Sequence, residues 1–134
     1  MSGRNWLGGV CLRNGGYVTI LESLAHYRRR LCTLGDSPEL KNAAMFAPVL
    51  TSQAAKTIPE IDRTTQDVLD YLAGGMVDID VAFLDKALAC HDSDIRKAQD
   101  TGDAYYTNLI GDMERAAFLL EMIASVRKGL SEYD

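Results

Sequence analysis

The side chains with the most scope for chemistry are two histidines, His26 and His91, three cysteines, Cys11, Cys32 and Cys90, and three consecutive arginines, Arg28, Arg29 and Arg30. A di-metal centre in a helical bundle needs Glu-x-x-His pairs, because that spacing turns both ligands toward the bundle axis. Neither histidine lies in such a pair. Glu22 and His26 stand four apart and share a helix face, but Ser23, Arg29 and Arg30 around them mark that face as solvated. The cysteines are odd in number and lack C-x-x-C spacing, so they read as reduced and mostly buried thiols. No metal and no cofactor is expected from these spacings.

His91 falls at an apolar-seam position, where a hydrogen-bonded core histidine is the ordinary reading. The alternative is an enzyme or small-ligand site in an inter-helix pocket, built from His91 with Tyr27, Asp85 and Asp94. Asp92-Ser93-Asp94 opens like a calcium loop, yet Ile95 and Arg96 follow where an acceptor should stand, and no glycine occupies the sixth place. The pairs Gly8-Gly9 and Gly15-Gly16 neither follow a strand nor precede a lysine, so no phosphate-cradling loop is supported.

These residues sit on strongly periodic segments. Tyr17, Ile20, Leu24, Tyr27, Leu31 and Leu34 alternate spacings of three and four, the seam of a helix, and Gly35 is the expected stop. Asp36-Ser37-Pro38-Glu39 signals a second helical region that extends to about Leu72. Pro48 should divide it, and the T-x-x-E box Thr57 to Glu60, with Pro59 inside, should break or kink it again. Asp78 or Asp80 caps a third helix with seam Val81, Leu84, Leu88, His91, Ile95 and Ala98, closed by Gly102. Asp103 then caps a fourth, with seam Tyr106, Leu109, Met113, Ala116, Leu120 and Ile123. The expected fold is all-α, an antiparallel up-down four-helix bundle, with residues 1 to 16 as a flexible glycine-rich arm and 17 to 134 as one domain. The first and third seams superpose at a single offset, which suggests two related αα-hairpins, although heptad seams align cheaply in any bundle.

Composition agrees with a folded domain: 47% of residues are hydrophobic and 25% charged, with net charge −5. No run approaches the roughly 18 apolar residues of a membrane span, and the leader lacks a secretory core, so a cytoplasmic protein is expected. Residues 1 to 58 carry a surplus of base and residues 59 to 134 a surplus of acid, consistent with attraction between helices or with a charged partner. Arg28, Arg29 and Arg30, with Arg4 and Arg13, form a basic patch suited to weak nucleic-acid binding, but the acidic pI of about 5.0 opposes that partner. Counting forward from these arginines by the seam offset reaches Asp92, Ser93 and Asp94, opposite in sign, which favours packing or assembly.

The fourth helix carries more apolar residues than one stripe needs. Phe118, Met122 and Val126 point away from the fourth seam and Leu119 lies between the two faces, and these four are expected to bury against a second copy. The function expected is therefore a non-enzymatic interaction or regulatory bundle that self-associates or docks a partner helix, with the His91 pocket as the alternative.

Overall fold

A computed structural model of the chain describes residues 15–75 and 77–131. Arg4, Cys11 and Arg13, with most of the expected arm and the end of the polar tail, lie outside the described residues. The described chain is all-helical, and six α-helices pack against one another. They are α1 (Gly16–Cys32), α2 (Pro38–Asn42), α3 (Ala47–Leu72), α4 (Val81–Thr101), α5 (Ala104–Ile110) and α6 (Ala116–Ser131), with single 3₁₀ turns at Leu34–Asp36, Ala44–Phe46 and Met113–Arg115.

Local signals account for most boundaries. Ser37 accepts a hydrogen bond from the Leu40 amide at the start of α2, and Asp80 does the same for Phe83 at the start of α4. Each supplies an acceptor to an amide that the first helical turn leaves unpaired. Pro48 lies in the first turn of α3, so the expected division there is present. No break follows at the second site, where α3 runs through Pro59 as one 26-residue helix. Pro59 removes the hydrogen bond to Ala55, but Ala55 and Pro59 are both exposed, so water can take that carbonyl.

The fourth segment is also corrected, in the opposite direction. It divides into α5 and α6 at Gly111, whose φ of 81° suits glycine alone, and Asp112 caps the next turn by accepting from the Glu114 amide. The break resets the rotational phase of α6. Its buried face is Ala116, Leu119, Ile123, Val126 and Leu130, whereas Leu120 is only partly covered. Leu119 and Val126 thus turn into the chain's own core, and of the expected outward stripe only Phe118 is exposed, with Met122 half-buried.

The core joins Ile20 and Leu24 of α1, Ile61 and Val68 of α3, Leu84, Leu88 and Ile95 of α4, and that α6 face. α1 packs on α4, α3 and α6. Ser23 meets His91 and His26 meets Asp94 at the same separation of 68 residues, so α1 and α4 run in one direction. α6 runs against α4, because Arg127 binds Asp85 while Leu119 lies near His91.

The phase of α6 is testable by truncation. Leu119→Ala should lower stability by about 2–5 kcal/mol, the range for an aliphatic core residue. Phe118→Ala should change it by no more than about 0.5 kcal/mol, as for an exposed site. Urea unfolding of both variants checks this, and equal effects would contradict the described phase.

Candidate functional site

A second stripe runs along α1 beside its apolar seam: Thr19, Ser23, His26 and Arg30. On α4 the matching stripe is Ala87, His91, Asp94 and Ala98. Both follow spacings of four, three and four, so each lies on one helix face. Because α1 and α4 are parallel, the stripes meet rung by rung. Ser23 Oγ is 2.9 Å from His91 Nδ1, and His26 Nε2 is 2.8 Å from Asp94 Oδ2. The two imidazoles stack between these rungs with centroids 4.4 Å apart.

Asp94 is the hub. Its Oδ2 also accepts from Arg30 Nε at 3.1 Å, and Cys90 Sγ approaches the same oxygen at 3.7 Å. Glu39 from α2 bridges outward, accepting from Arg30 at 2.9 Å and from Lys97 at 3.1 Å. α5 closes this end. The Arg30 guanidinium lies over the rings of Tyr105 and Tyr106 and donates to Tyr105 Oη at 3.3 Å. Burial by itself would raise the Asp94 carboxyl, but the His26 hydrogen bond and the Arg30 charge hold it below its ordinary value. Burial and Asp94 push the Cys90 thiol up to about 12. Burial, followed by His26 and Arg29, pushes His91 down to about 3.

This geometry revises several expectations. His26, assigned to a solvated face, is fully buried, because the polar residues around it belong to a stripe covered by α4. Of the four candidate pocket residues, His91 and Asp94 join the cluster. Tyr27 instead packs against Phe83, and Asp85 pairs with Arg127 at the surface. Cys32 is exposed, not buried. The basic patch is dispersed: Arg28 pairs with Asp62 of α3 and Arg30 is drawn into the cluster, so Arg29 alone faces solvent without an ion-pair partner among the described residues.

The chemical scope of the cluster is narrow. Ser23, His91, His26 and Asp94 do not form a nucleophilic triad, since Asp94 orients the wrong imidazole and Ser23 is sealed from substrate. Ligand atoms of His26, Cys90 and Asp94 fall within 4.8 Å of one another, close enough to share a cation. Arg30 and Lys97 already occupy the carboxylate such a cation would need, however, and the thiol keeps its proton at neutral pH. His91 also lines a pocket of about 140 Å³ with Glu22, Arg29, Asp112, Arg115 and Leu119. A larger pocket of about 400 Å³ lies on Arg29, Lys41, Tyr105 and Asn108.

No protein-family model, curated protein or solved structure matches the chain.

Two outcomes follow for stability. Asp94→Ala strips Arg30 and His26 of their buried partner and should cost about 3–5 kcal/mol in urea unfolding. As pH falls from the ordinary histidine range toward 3, the unfolded chain takes up a proton at His91 that the folded chain refuses. Stability from this group is therefore fully present above about pH 6.5 and declines as pH falls to about 3. Replacing it by His91→Gln should flatten that part of the pH profile. An unchanged profile would show that the ring is not held neutral.

Proposed function

We propose that the chain is a non-enzymatic interaction module, an open antiparallel four-helix bundle that pairs with a second copy through the start of α3. The observation that carries this reading is an uncovered apolar surface: Met45 is 81% exposed, Phe46 55% and Val49 57%, with Leu50 beside them. Four large apolar side chains in water on one short stretch are unusual for a monomer. α1 is the only helix on which α3 packs extensively among the described residues, and the first half of α3 buries Ala54 alone.

A second copy suits this surface because residues 42 to 55 carry no charge and are flanked by Lys41 and Lys56. Antiparallel pairing of two copies about Leu50 buries the uncharged stretch against itself. The contact is then isologous, as expected of a twofold dimer. It replaces the α6 stripe, whose Leu119 and Val126 are already used within the chain. Nucleic acid is disfavoured as a partner by the dispersal of the arginines. The cytoplasm is the expected setting, where the exposed Cys32 thiol would stay reduced.

Light scattering on the purified chain should give a dimer mass that falls to the monomer mass in Val49→Glu, with the helical circular dichroism retained. Val49 is exposed, so the substitution disturbs no core residue. A wild type that remains monomeric at high concentration, or a Val49→Glu variant that remains dimeric, overturns the reading.

A further inference from the structure

We propose that the pocket between α1, α4 and the α5–α6 turn binds a small oxyanion, of phosphate or carboxylate type, between Arg29, Arg115 and the Nε2–H of His91. This inference is independent of self-association through α3.

The site is built around a buried donor. His91 is only 5% exposed, its Nδ1 is engaged by Ser23, and the ring lines the pocket. The direction of the Ser23 bond fixes the tautomer. Ser23 Oγ is fully buried, and His91 Nδ1 is its hydrogen-bond partner. If Nδ1 carried the proton, the Ser23 hydroxyl hydrogen would itself need another acceptor in a sealed site. Donation from Ser23 to Nδ1 avoids that cost, and the ring proton then sits on Nε2. His91 is thus a neutral imidazole that offers a donor.

One guanidinium at the pocket is free for an anion. Arg29 lacks an ion-pair partner among the described residues, and Arg115 is held by Glu22 only at 3.6 Å. The two acids that line the pocket each have a partner: Glu22 faces Arg115 within the pocket, a pair the anion would have to loosen, and Asp112 accepts from the Glu114 amide. Arg29 is among the charges that depress His91. A volume of about 140 Å³ is the share of about four or five waters, enough for one oxyanion group. Arg29 also lines the larger pocket, beside Tyr105 and Asn108.

The test is a titration of the isotope-labelled chain with inorganic phosphate and, separately, with acetate at constant ionic strength, following the ring nitrogens of His91 by nuclear magnetic resonance. The free chain should show the proton on Nε2, and at least one anion should shift that resonance along a saturable curve. The stronger arm identifies the phosphate or the carboxylate class. Arg29→Ala should weaken binding by about tenfold or more, the loss of a charge-assisted hydrogen bond. Arg28→Ala removes the same charge outside the pocket and should leave affinity within about twofold. A proton on Nδ1, the lack of a saturable shift with both anions, or equal weakening by the two arginine variants overturns the proposal. Circular dichroism confirms that each variant is folded.

Discussion

The structure turns on one carboxylate oxygen. Asp94 Oδ2 accepts from His26 and from Arg30 and is approached by the Cys90 thiol, all in the seam between α1 and α4. An ionised carboxylate in that position is costly unless strong donors satisfy it, and here two charge-assisted or polar donors converge on it. Both donors come from α1, and Cys90 lies one turn earlier on α4, so the oxygen ties the two helices together. Buried ionic groups of this kind are weak evidence for added stability, but these contacts can all be made in one register only. A slip of α1 against α4 by one turn would separate Ser23 from His91 and both donors from Asp94 at once.

That register was partly legible in the residues. The apolar seams of α1 and α4 locate the helices, and Asp80, Asp103 and Gly102 mark ends that the structure uses. The charge complementarity between Arg28–Arg30 and Asp92–Asp94 is realised inside the chain, as Arg30 with Asp94. The polar neighbours of His26 suggest exposure, yet the ring is fully buried. The available signal was the spacing Ser23, His26, Arg30 set beside His91, Asp94: two polar stripes with one period can cover each other if the helices run parallel. Parallel contact between α1 and α4 is a tertiary fact, and periodicity within one helix does not contain it.

The fate of the apolar surplus on α6 has the same origin. A seam traced from Tyr106 to Ile123 assumes one uninterrupted helix, but the left-handed glycine at 111 ends that helix and begins another with a different phase. Leu119 and Val126 then face α1 and α4 and no longer form an outward stripe. α6 can absorb a wide apolar face because it packs on both α1 and α4. α3 has no comparable second neighbour, so uncovered apolar side chains remain at its start.

Three consecutive arginines express these different surroundings of α1. Successive residues on a helix point about 100° apart, so Arg28, Arg29 and Arg30 cannot share one environment. Arg28 reaches α3 and takes Asp62; Arg30 reaches α4 and takes Asp94. Arg29 falls between those two directions, toward α5 and the turn before α6. There Asp112 is occupied as a helix cap and Glu22 faces Arg115. Its charge is left unneutralised because the two carboxylates that could have met a basic patch are consumed on either side of it. The same packing that disperses the patch therefore leaves one guanidinium beside the His91 pocket.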